Sequence, residues 1–114
     1  MTDLPKTESA DYFADIANDL MDKHLELKVG SMMSQPSVKC KGRNFAVFLP
    51  DQDKPVFRVG KDFDKNVLGL TDCEVFNPTK DKPPMEDWII VGYADKDKWV
   101  DLLNISLDLL RSEL

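Results

Sequence analysis

The chain reads as a two-layer α+β domain, an antiparallel sheet with helices covering one face, and three observations predict it. A helical hydrophobic period opens the sequence, a period of two takes over from Ser37, and a second long helical period closes it. Between the helical stretches, Lys39 to Pro50 (KCKGRNFAVFLP) has the form of two short strands joined by a turn. The expected order is helix, three strands, short helix, two strands, long helix. At 114 residues, 42% of them hydrophobic, the chain can build one core without staples, so a single domain over 1–114 is expected, with 1–8 a flexible tail.

The first helix starts from Thr7 or Ser9, whose hydroxyls can accept a backbone N–H, and its pattern runs to about Leu27. Phe13, Ile16, Ala17, Leu20 and His24 form one stripe at three- and four-residue steps. Asp11 and Asp15 lie near the positive end of the helix dipole, and Lys23 and Lys28 near its negative end. Gly30 is the expected stop, and Ser31 to Gln35 a connection without an assigned conformation. In the first strand, Val38 and Cys40 point one way and Lys39 and Lys41 the other; Gly42, Arg43 and Asn44 supply the turn. In the next, Phe45, Val47 and Leu49 share one face and Ala46 and Phe48 the other. Asp51 to Pro55 turns the chain into a third strand, Val56 to Val59.

Asp62 is placed to cap a short helix carrying Phe63, Val67 and Leu68, ended by Gly69. A brief strand, Glu74 to Phe76, precedes a polar, proline-containing surface loop from Asn77 to Pro84. Trp88 to Tyr93 is an apolar strand. Asp95 then caps a helix to about Glu113, buried along Trp99, Leu102, Leu103, Ser106 and Leu110.

Composition narrows the function classes. No stretch approaches the roughly 20 apolar residues of a membrane span, and residues 1–10 do not have the form of a secretion signal, so a soluble, cytoplasmic protein is expected. Cys40 and Cys73 lie far apart without a CxxC, which fits reduced thiols and supports neither a disulfide framework nor a zinc site. The net charge of −6 opposes broad attraction to nucleic acid or anionic lipid. Its distribution is uneven: residues 1–30 sum to −4, residues 31–61 to +4 and residues 62–114 to −6. The basic island coincides with the expected hairpin.

Several pieces of this layout resemble the small family that joins the N-terminal domain of TfoX/Sxy competence regulators with MmcQ/YjbR-like proteins. The pieces are Pro36-x-Val38-Lys39, Gly42-Arg43-x-Phe45-Ala46, Phe76-Asn77-Pro78, Pro84-Met85-x-x-Trp88-Ile89-Ile90-Val91 and the closing helix from Trp99, spread over nearly the whole chain. The resemblance implies a YjbR-like fold of bacterial type, sometimes labelled DNA-binding by analogy, and it brings no catalytic residues with it. Met32-Met33-Ser34-Gln35 stands where competence regulators carry a Met-Phe-Gly-Gly-like segment, and a second, C-terminal domain like theirs is not expected. The stand-alone branch of the family fits better than the regulators.

Lys39, Lys41, Arg43 and Arg58 are the candidate binding surface, a set of cations able to meet phosphate oxygens. The plainer reading is a solvated strand face whose lysines discourage aggregation. Trp88 and Trp99 suit core packing better than base stacking, and Cys40 reads as a small buried hydrophobe. His24, the single histidine, reads as a helix-surface or core-edge residue and rules out a histidine metal cluster. Asp51 with Asp53, and Asp95 with Asp97, are explained by a turn and a helix start. No catalytic, metal or cofactor site is expected. The leading expectation is a non-enzymatic interaction or regulatory module that engages a protein partner or itself. Its support is the expected apolar character of the open sheet face through Ala46 and Phe48, which self-association would hide. A weak nucleic-acid-binding module built on the 38–58 hairpin is the alternative, and a small-ligand-binding domain or enzyme comes third.

Overall fold

The computed structural model describes residues 7–32, 35–64, 66, 68–77 and 85–113. Helix α1 spans Glu8–Lys23, with Thr7 as its cap: the hydroxyl accepts from the Ala10 N–H at 3.1 Å and donates to Asp53 Oδ1 at 2.6 Å, tying the helix start to a distant turn. Phe13, Ile16, Ala17 and Leu20 are buried, as their spacing predicts. The helix stops at Lys23, four residues earlier than expected. His24 is extended, and Leu27–Met32 forms a strand, β1, that the helical period had partly absorbed.

The remaining elements are β2 (Gln35–Cys40), β3 (Arg43–Leu49), β4 (Lys54–Arg58), β5 (Cys73–Phe76), β6 (Met85–Val91), a 3-10 segment (Tyr93–Lys98) and α2 (Trp99–Glu113). All pairings are antiparallel, in the order β1-β2-β3-β4-β6-β5. The class is α+β, an open six-stranded sheet with two helices. Among the described residues no helix is long and apolar enough to cross a membrane.

Of the short helix expected from Asp62, Asn66 is in 3-10 conformation, and its neighbours 65 and 67 lie outside the described residues. Gly60 and Gly69 take left-handed φ values of +87° and +67°, and the Asp64 carboxylate accepts from the Asn66 N–H at 2.9 Å, a local bond that competes with helical pairing. Phe63 and Leu68, on either side of Asn66, pack half-buried on the core, while Val67 lies outside the described residues. So do residues 1–6 of the expected tail and 78–84 of the expected loop. Thr7 and Glu8, also assigned to that tail, begin α1.

The main core lies between the helices and the sheet. Phe13 meets Phe48 and Phe57 with ring centroids 5.6 and 6.3 Å apart, and Trp99 sits between Tyr12 (5.6 Å) and Tyr93 (5.9 Å). A bulge changes the expected faces of β3. Lys39 pairs with Asn44 but Val38 with Ala46, so Phe45 is the extra residue, and both Phe45 and Ala46 join the helix-side core. The opposite face is still apolar, through Val47 and Leu49 rather than Ala46 and Phe48. With Val56, Phe76, Trp88 and Ile90 they make a second cluster in which Val47 and Val56 are fully buried. Self-association is therefore not required to hide this part of the face, which removes the support first given for it.

Asp95 is the other departure. Instead of capping its own helix it lies within the 3-10 segment, only 5% exposed. Its carboxylate accepts from the Thr71 N–H (3.0 and 3.1 Å), the Thr71 hydroxyl (3.0 Å) and the Asp72 N–H (2.6 Å). Burial raises its proton affinity, but these donors and the charge of Lys98 outweigh it and hold the carboxyl below its ordinary range. The bonds fix the entry to β5 against the start of α2. The Trp99 indole N–H donates to the Gly92 carbonyl at 3.2 Å beside them.

Candidate binding surface

The sequence points to Lys39, Lys41, Arg43 and Arg58, and the fold treats the four differently. Lys39 is half-buried on β2, directly opposite Lys28 of β1 on one side and Asn44 of β3 on the other. Its aliphatic stem lies over Gly30, where a Cβ would come within 2.8 Å of Lys39 Cδ; the missing side chain lets the lysine lie across β1. Asn44 is held in place by its neighbours. Its Oδ1 accepts from the Ser37 hydroxyl at 2.6 Å, and its Nδ2 donates to the Ser31 carbonyl at 3.4 Å, opposite Pro36, which has no N–H to offer.

Lys41 is not on the strand. Lys41 and Gly42 form the two-residue turn, with φ of +51° and +82°, and Arg43 and Asn44 already belong to β3. Two positive φ values match the strand twist in such a tight hairpin, so the expected alignment of Lys39 with Lys41 is replaced by a lysine at the hairpin tip. Arg43 is exposed at the start of β3. It borders a shallow groove of about 370 Å³ with Gly42, Asn44, Arg58 and Trp88.

Arg58 is engaged by its own chain. Its guanidinium makes two parallel bonds to the Glu113 carboxylate, one of 2.9 Å between Nη2 and Oε2, and Asp87 Oδ2 lies 3.7 Å away. The bond from Arg58, reinforced by its charge and that of Arg43, holds the Glu113 carboxyl below its usual range against a smaller effect of burial. The Glu113 bond likewise raises the Arg58 guanidinium further above its usual value. Lys54, the other cation of β4, lies 3.8 Å from Asp72.

A division across the sheet follows. The cations of β4 have acidic partners, whereas among the described residues no carboxylate lies within 4.0 Å of Lys28, Lys39, Lys41 or Arg43. Lys28 is the member that sequence reading missed, because it was assigned to the end of α1. The alternation of Leu27 and Val29 with Lys28 was the available signal. Facing lysines on neighbouring strands repel one another, so the surface is complementary to anionic groups.

The other titratable groups lie elsewhere. His24 Nδ1 is 2.9 Å from Arg111 Nη2, which also bonds Glu26. Cys40 is buried on the helix side of β2. Trp88 and Trp99 are both buried, one in each cluster. A groove of about 320 Å³ beside β5 is bordered by Lys61, Asp64, Glu74 and Glu86, and the described residues contain no group of three or more His, Cys, Asp or Glu side chains placed to hold a metal. Comparison with known proteins finds no matching family model, no matching curated protein and no matching solved structure.

Proposed function

We propose that this chain is a small non-enzymatic binding or regulatory module that engages an acidic protein partner through the face formed by β1, β2 and β3. The observation that carries the reading is the facing pair Lys28 and Lys39, with Lys41 at the adjoining hairpin tip, none of which has a carboxylate within 4.0 Å among the described residues, in a chain whose net charge is −6. The sequence motifs of the hairpin support placing it among the stand-alone MmcQ/YjbR-like and TfoX N-terminal-like proteins with a YjbR-like fold, and its composition supports a cytoplasmic location. The same cations favour a second reading, weak binding of nucleic acid. The overall charge counts against it, since a long polyanion would also meet the acidic remainder of the chain.

Amide NMR of the labelled protein with a glutamate-rich peptide, and separately with duplex and single-stranded DNA, tests the two readings. The proposal expects peptide shifts confined to residues 28–31 and 39–44, with DNA causing smaller shifts that vanish at physiological salt. DNA shifts that survive at physiological salt while the peptide is silent would replace it with the second reading. Silence with every probe would refute both.

A further inference from the structure

Strand β1 is the outer edge of the sheet, six residues long and in unbroken register with β2 from Leu27 to Met32. The other edge, β5, has four residues, and its register breaks between Val75 and Phe76. Short length and a bulge are two means of blunting an edge, and β1 has neither; its one blunting charge, Lys28, opposes a basic strand and not an acidic one. Its two sides also differ in chemistry. Val29, which pairs with the core residue Val38 on the helix side, is 45% exposed, and Leu25 just before the strand is 87% exposed. On the opposite side lie Lys28 and the stem of Lys39, which crosses Gly30.

We propose that β1 is a docking edge that takes an extended segment of a partner protein as a seventh strand, with acidic residues beside Lys28 and Lys39 alternating with apolar residues beside Val29. This rests on the binding-module reading and names its partner's chemistry. An added strand presents alternate side chains to opposite faces, so a period of two in acidic and apolar residues matches the two sides of β1. A second copy of this chain is the poorer occupant. Antiparallel pairing of two β1 strands would continue one sheet face into the other and bring two lysine pairs together, within a dimer of −12.

The test uses an acetylated, amidated hexapeptide alternating glutamate with valine, and two versions N-methylated at every second residue, in one phase or the other. All three carry the same side chains, and only the phase that faces β1 loses the donors needed for pairing. The expected result is at least about tenfold weaker binding for one phase, with the other within about threefold of the parent, and slowed amide exchange in β1 on binding the parent. Equal behaviour of the two phases overturns edge addition. If both then bind like the parent, the charged-face reading survives; if the parent peptide itself fails to bind, that reading falls too.

Discussion

Replacing Asp95 by alanine removes one acceptor from three donors, the N–H groups of Thr71 and Asp72 and the Thr71 hydroxyl. Hydrogen bonds to a buried charge contribute about 1.5–3 kcal/mol each, but Thr71 and Asp72 are themselves exposed, so water can recover part of the loss. Taking about 1 kcal/mol per donor gives about 3 kcal/mol. With an unfolding entropy of about 2.1 cal/mol/K per residue, a chain of this length loses about 4 °C of Tm per kcal/mol, so Asp95→Ala is expected to melt about 12 °C lower. Asp95→Asn keeps the shape and one accepting oxygen, and is expected to lose about half as much. The sign of the pH effect follows from the depressed carboxyl. Its contribution is fully present above the ordinary aspartate value of 3.8 and fades as pH falls through the lower folded value, so the gap between wild type and Asp95→Asn narrows in acid. Melting followed by circular dichroism at several pH values provides the assay. An Asp95→Ala protein melting within 2–3 °C of wild type, as an order-of-magnitude criterion, would refute the claim that this carboxylate anchors the β5 entry.

Lys41→Asn places at the first position of the Lys41-Gly42 turn a residue that tolerates φ of +51° better than lysine, and urea unfolding is expected to show a gain of about 0.5–1 kcal/mol; a loss would contradict the turn assignment. Arg58→Gln removes the guanidinium that holds Glu113 ionised, so the Glu113 side chain, followed by NMR, should titrate closer to its ordinary 4.5 than in wild type, and an unmoved midpoint would contradict the ion pair. The stability linked to Glu113 is present above that ordinary value and lost as pH falls through the depressed one, so Arg58→Gln should flatten the acid limb of the stability curve.

What the sequence revealed depended on how locally each feature was determined. The stripes of α1 and α2 and the two strands around Lys41-Gly42 follow from periodicity and turn chemistry. Strand β1 was hidden because it carries only two apolar side chains on its core-facing side, Leu27 and Val29, and contains a glycine that reads equally well as a helix stop. The face of Phe45 depends on a bulge opposite Val38, and a bulge is a relation between strands that no single-strand period contains. Asp95 has the chemistry of a cap, but the donors it satisfies are 23 and 24 residues away. At the candidate surface the sequence identified Lys39, Lys41 and Arg43 but could not separate them from Arg58. Its partner Glu113 lies 55 residues further along and meets it only in the folded chain.

The central claim is that the β1–β3 face, not the chain's overall charge, selects an acidic partner. Its most direct test is the affinity of a glutamate-rich peptide for two double variants, Lys39→Glu with Arg43→Glu and Lys23→Glu with Lys61→Glu, both of which take the net charge from −6 to −10. Local recognition predicts at least about tenfold weaker binding for the first pair and a change under about threefold for the second at physiological salt, where distant exposed charges are largely screened. Equal weakening by the two pairs would show that net charge alone governs the interaction and would contradict the assignment of this face.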